Sequence, residues 1–264
     1  QMLEEMAPLS VSIRTLGVGG DKVVSDMCVE SEVNPAMGLR AIRFSLKEVE
    51  LFKTQLRAIL RASIHGNVRV MLPMISGVAE IRACKKLLHQ VQEELSREGV
   101  PFAENIPIGI MVETPSAILI APLLAREVDY FSIGTNDLIQ YCLAVDRGNE
   151  HVAYLYEPMH PAILRALKAA CDAARDADID ISICGEMAAE PLYALVLLGL
   201  GFNELSMNPS CVPRVKQVIR QLRRQDGEVL LERLMLLPTG KEIAACIEQE
   251  MRTLLPDIFD LAMI

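Results

Sequence analysis

The sequence predicts an α/β chain built on a parallel sheet, either doubly wound or closed as a (β/α)8-type barrel. Three observations carry this expectation. Short apolar runs alternate with longer helical patterns, and such alternation calls for parallel crossovers. Most of the runs are continuously apolar rather than alternating, as expected of strands covered by helices on both faces. The composition is 51% hydrophobic with only 4% aromatic residues and no Trp, so the core must be aliphatic. The length, 264 residues, is close to the usual size of a barrel of this type.

Taken in order, the predicted strands are Val11–Leu16, Val68–Pro73, Ile108–Glu113, Tyr130–Gly134, Ile181–Gly185 and Glu204–Met207. Between them Ser45-x-x-Glu48 reads as a capping box opening a helix through about Ala62, which Gly66 ends. Gly77 to about Glu98 is a second long amphipathic pattern. Pro115 and Pro161 suit the first turn of the next two helices, the latter running towards Ala174, because a first-turn residue has no intrahelical use for its N–H. Pro191–Gly199 and Pro213–Arg223 repeat the rhythm, and from Gln225 the chain reads as two helices around Leu237-Pro238-Thr239-Gly240. A closed barrel needs eight strands. Six candidates are present, so two are hidden or lie outside the chain.

The net charge is −9, from 35 acidic and 26 basic residues. That argues against non-specific nucleic-acid binding, which needs a basic footprint, but not against a small anionic substrate met by a few local arginines. No apolar run is long and uncharged enough to span a membrane, and the acidic N-terminus is no signal peptide. The seven cysteines are scattered without a CxxC pair, which points to reduced cytosolic thiols rather than a disulfide framework or zinc site.

The strand ends carry the chemistry. In barrels of this kind catalytic groups lie at the C-terminal ends of strands. Arg14 ends the first predicted strand and Glu113 the third; Asn136 and Asp137 follow the fourth; Cys184, Gly185 and Glu186 close the fifth. Glu113 and Asp137 are hard oxygen donors of the kind that hold Mg2+ together with waters and substrate oxygens. The competing reading is that they cap the following helices. Arg14, Arg40 and Arg147 offer planar forks for phosphate and carboxylate oxygens, against a reading as salt bridges or surface charges, which is the expectation for Arg43 and Arg69. Gly19-Gly20-Asp21-Lys22 reads as an anion-binding turn or a simple one. Cys184 can be nucleophile, redox group or proton donor. None of the four histidines lies in a comparable motif, and a nucleophile usually needs an activating base, which favours proton transfer.

Several long stretches, in order, resemble the C-terminal, phosphoenolpyruvate (PEP)-binding domain of enzyme I of the bacterial phosphotransferase system. They are IRTLGVGGDK (13–22), NPAMGLRAIRF (34–44), VMLPMIS (70–76), MVETPSA (111–117), FSIGTNDLIQY (131–141), AVDRGN (144–149), ICGEMA (183–188) and ELSMNP (204–209). The resemblance implies a (β/α)8 barrel domain over 1–224 that lacks its first two strands, followed by a helical extension over 225–264. It implies Mg2+ held by Glu113 and Asp137, with PEP bound by Arg14, Arg40, Asn136 and Arg147. Cys184 then protonates the methylene carbon of enolpyruvate to give pyruvate. The partners implied are an N-terminal phosphohistidine domain and a histidine-containing carrier protein, in a cytoplasmic homodimer. Pyruvate phosphate dikinase and PEP synthase share these strand-end residues and form the alternative, as does a PEP-sensing module without catalysis. Gly17 stands where the family usually has Asp, and the upstream Arg-Thr-Glu-Phe strand of the family has no counterpart.

Overall fold

A computed structural model describes residues 1–17 and 34–256; the predicted Gly19–Lys22 turn lies outside the described residues. Six strands form one sheet in chain order: β1 (Val11–Arg14), β2 (Val68–Leu72), β3 (Ile108–Val112), β4 (Tyr130–Gly134), β5 (Asp180–Cys184) and β6 (Glu204–Leu205). The helices are α1 (Met2–Met6), α2 (Ile42–Lys47), α3 (Val49–Ala62), α4 (Val78–Arg97), α5 (Pro115–Leu119), α6 (Ala121–Leu124), α7 (Thr135–Leu143), α8 (Pro161–Asp176), α9 (Glu186–Ala189), α10 (Ala194–Leu200), α11 (Val212–Ile219), α12 (Arg224–Leu234) and α13 (Gly240–Leu254). All six predicted strands are present, most of them one or two residues shorter. Among the described residues no helix is long and apolar enough to cross a membrane.

The chain forms two compact units, residues 1–111 with 123–130, and residues 112–122 with 131 onwards. In the first, β1 and β2 pair in parallel from Val11↔Val68 to Arg14↔Met71, and β2 and β3 from Val70↔Ile108 to Leu72↔Ile110. Tyr130 fastens this layer. Its ring fills the space a side chain on Gly109 would need, and its hydroxyl donates to the Val70 carbonyl at 3.0 Å. Arg69, expected as a surface charge, instead lies over the Tyr130 ring at 4.6 Å and donates to Ser12 Oγ at 3.0 Å. Helix α3 buries Phe52, Leu56, Ile59 and Leu60, and α4 buries Ile81, Cys84, Leu88, Val91 and Leu95. These are spacings that put one stripe on the core.

The predicted capping box at Ser45 is not formed. Ser45 lies inside α2, and Glu48 separates α2 from α3 without a side-chain cap. The box motif is a purely local pattern of four residues, and here the buried Ile42 and Phe44 draw the preceding segment into a helix of its own. Half of such a box occurs at α4, where the N-cap is Gly77 and the Glu80 carboxylate accepts from Ser76 N at 2.6 Å and Gly77 N at 3.1 Å.

In the second unit β4 is buried along its whole length, and β5 pairs with β6 in parallel, Ser182↔Glu204 and Ile183↔Leu205. Side-chain bonds climb from β5 to β4 in the same direction, Ser182 to the Phe131 carbonyl and Cys184 to that of Ile133, so these neighbours also run parallel. Helices α10 and α12 pack backbone to backbone. A side chain on Gly199 would overlap the Gly227 carbonyl, and one on Gly227 would stand 2.8 Å from Gly199 N. Glycine inside a helix costs about 1 kcal/mol relative to Ala, and close helix approach is what these two supply in return.

Replacing Gly199 by Val should therefore lower the unfolding free energy in urea by about 2–3 kcal/mol through overpacking. Gly77→Ala, whose added atom meets nothing within 4 Å, should stay within about 0.5 kcal/mol. A Gly199→Val protein as stable as its parent would mean that α10 and α12 do not approach this closely.

Candidate active site

The site is best defined where β4 and β5 end. β4 runs directly into α7, whose N-cap is Gly134 with no side-chain cap. Asn136 and Asp137 thus occupy the first turn rather than the cap position, both half-buried. After β3, the cap of α5 is Thr114, whose hydroxyl accepts from Ala117 N at 3.2 Å. Glu113, one residue earlier, is only 4% exposed. The capping reading fails for both carboxylates. Burying a carboxylate carries a large desolvation cost unless a cation or donors meet it, so Glu113 is placed for an interaction worth that cost. Helix α5 packs on α7, and α7 on α9, so the segments that follow Glu113, Gly134 and Cys184 are neighbours in this unit.

Cys184 is half-buried at the last position of β5. Its Sγ donates to the Ile133 carbonyl at 3.3 Å and lies 4.0 Å from Ser132 Oγ. Ser132 is 1% exposed. The backbone of Cys184 is held as well, its carbonyl accepting from Thr135 Oγ1 at 2.8 Å. Asn136 uses Oδ1 to accept from Glu186 N at 3.3 Å.

After α7 the chain turns on Ala144 in the left-handed region (φ 54°). It then presents Arg147, exposed, whose N–H donates to Gln140 Oε1 at 3.3 Å. Tyr156 stands in the same electrostatic neighbourhood. Its phenol is pushed up to about 12 by burial first, then by the negative charge of Glu186. Arg147 acts in the opposite direction and Asp137 in the same one. The structure thus gathers Asn136, Asp137, Arg147 and Cys184 in the second unit, with Glu186, Ser132, Thr135 and Tyr156 as additions. Ser132 had a signal, a hydroxyl inside an apolar strand. Tyr156 had none, since only the fold brings it near Asp137.

Arg14 and Arg40 belong to the first unit. Arg14 is exposed at the end of β1, with Nη1 4.0 Å from Met111 Sδ; Arg40 is 4% exposed just before α2. Arg43 donates to the carbonyls of Met37 and Gly38 at 2.7 and 3.3 Å, a structural use. Among the described residues no group of three or more His, Cys, Asp or Glu side chains is arranged to hold a metal. A Mg2+ that draws its other ligands from water and substrate needs only one or two protein carboxylates, and Glu113 and Asp137 are donors of the right hardness for it.

Chemical availability separates the cysteines. Burial pushes Cys84 and Cys171 up to about 12, so at pH 8 their thiolate fraction falls roughly a thousandfold below that of an ordinary thiol. Alkylation of the native chain with iodoacetamide at pH 8 should modify the half-buried Cys184 and spare Cys84 and Cys171, whereas all seven cysteines react in denaturant. Peptide mapping that found Cys171 or Cys84 labelled as fast as Cys184 would contradict this placement.

Residues 1–224 match the family described as PEP-utilising enzyme, PEP-binding domain. The chain is 47% identical over 249 residues to the phosphoenolpyruvate-protein phosphotransferase of Haemophilus influenzae, covering 94% of this chain and 43% of that protein. It is 46% identical over 242 residues to the protein of the same name from Priestia megaterium (92% and 42%) and 44% identical over 248 residues to that of Bacillus subtilis (94% and 44%). The chain therefore spans less than half the length of these relatives. A solved citrate lyase from Burkholderia xenovorans superposes at a TM-score of 0.47 with 16% identity, over 79% of this chain and 71% of that one, a likeness too loose to bear on the fold.

Proposed function

Because the chain belongs to the PEP-utilising enzymes, through their PEP-binding domain, we propose that it binds PEP at the ends of its strands. There it presents the phosphoryl group to a histidine on a separate domain, releasing pyruvate. Three curated relatives carry the name phosphoenolpyruvate-protein phosphotransferase, which is this reaction. The observation that carries the reading is the meeting of the Cys184 end of β5 with the Asn136–Asp137 turn after β4. A proton donor and a metal-side carboxylate rise from adjacent strands of one unit. The six strands then correspond to consecutive strands of a (β/α)8 barrel, whose active site lies at the C-terminal end.

Glu113 and Asp137 would hold Mg2+, which when bound neutralises charge on the phosphoryl oxygens. Arg14, Arg40 and Arg147 bind phosphoryl and carboxylate oxygens by their planar forks, and the Asn136 amide NH2 donates a further hydrogen bond. The bridging P–O bond breaks as the phosphoryl group passes to the imidazole nitrogen. The electrons left on the enolate oxygen return through C=C, and the methylene carbon takes the Cys184 proton, giving pyruvate and a thiolate. Ser132 Oγ, close to Sγ, is a donor for that thiolate. The wider setting proposed is a cytoplasmic homodimer that hands its phosphoryl group to a histidine-containing carrier protein.

Titration calorimetry with PEP is expected to show binding that depends on Mg2+, and Asp137→Asn or Glu113→Gln should weaken it about 10- to 100-fold. With a relative's phosphohistidine domain supplied in trans, Cys184→Ala should bind PEP normally and form pyruvate at least about 100-fold more slowly. No heat at millimolar PEP would sink the reading; unchanged turnover in Cys184→Ala would remove the thiol from it.

A further inference from the structure

Thr135 is the first residue of α7 and is completely buried. A helical threonine usually returns its hydroxyl to a carbonyl of its own preceding turn. This one reaches across to the neighbouring strand and donates to the Cys184 carbonyl at 2.8 Å. The next residue completes a clasp, since Asn136 Oδ1 accepts from Glu186 N at 3.3 Å. Gly185 lies between the two bonds with φ 94°. A Cβ there would overlap Thr135 Oγ1 and stand 2.9 Å from Asn136 Oδ1. Three consecutive residues at the end of β5 are thus gripped by two consecutive residues at the start of α7, and the glycine makes the grip possible.

Besides the Ser132 hydroxyl 4.0 Å from its sulfur, Cys184 has two further handles on β4 and α7. One is its own S–H, which donates to the Ile133 carbonyl at 3.3 Å. The other is the backbone bond from Thr135, which does not involve the thiol. When the thiol yields its proton the first handle is lost, because a thiolate cannot donate and is repelled by a carbonyl oxygen. The second persists. We propose that Thr135 is the positioning residue for Cys184: it holds the sulfur in place through the proton transfer and joins the turn bearing Asp137 to the turn bearing the proton donor as one body. This rests on the role proposed above for Cys184 in protonating the enolate.

The test compares Thr135→Val, Thr135→Ala and Thr135→Ser. Valine keeps the shape without the donor, alanine removes the hydroxyl without adding a methyl, and serine keeps the donor. Val and Ala are expected to bind PEP with Mg2+ within about 3-fold of the parent while pyruvate formation falls about 10- to 100-fold, as for a reacting group displaced by a fraction of an ångström to an ångström. Thr135→Ser restores the rate. Independently, the rate of Cys184 alkylation should change several-fold in Val and Ala but not in Ser. Loss of activity in Ser equal to that in Val, or parental rates of both turnover and alkylation in Val and Ala, would overturn the proposal. If the parent itself does not turn over PEP, the functional reading fails by itself, and alkylation alone still decides whether Thr135 sets the position of the thiol. Should Thr135→Val not fold, the Ala and Ser pair carries the same comparison.

Discussion

The bond from Thr135 to the carbonyl of Cys184 sits where backbone pairing runs out. A buried strand must satisfy its polar groups to its last residue, and at the end of β5 a side chain from α7 takes over from the sheet. Much of the local arrangement depends on it. It places Asn136 to receive Glu186 N, demands a residue without a side chain at position 185, and brings Sγ over the edge of β4. A strand end finished by water would leave the same residues in reach of one another but not in register.

How far this was legible in the sequence follows from what periodicity encodes. Continuous apolar runs revealed β3 and β4, whose burial is almost complete, because a strand covered on both faces needs no partner to be recognised. The charged and thiol residues at the ends of β3 and β5 were legible for a similar reason: Glu113 and Cys184 break a pattern that burial would otherwise continue. Ser45 and Glu48 show the limit. A capping box is a local motif, yet buried Ile42 and Phe44 decide that the helix has already begun. Arg69 is a similar case, since nothing near it in sequence announces the Tyr130 ring it covers. Tyr156 and Thr135 acquire their significance from partners 9 to 49 positions away, most of them beyond the reach of a local window.

The charges of the chain fall into surface ion pairs and a cluster around Tyr156. The chain as a whole carries −9, and the surface uses many of its cations in exposed pairs such as Arg224 with Glu228 and Arg82 with Glu127. Such pairs contribute little to stability. Arg147 is different. With Asp137 and Glu186 it is one of the charges that act on the Tyr156 phenol, and it acts against the other two.

In the proposed reaction the two chemical tasks fall on different strands. Carboxylates that hold a metal must stay deprotonated, whereas a thiol that donates a proton must be regenerated in its protonated form. Here Asp137 follows β4 and Cys184 ends β5, and the thiol donates to a carbonyl and lies near a hydroxyl. The clasp reconciles separation with precision. It joins the two turns through neutral backbone and side-chain groups, so that their geometry is shared.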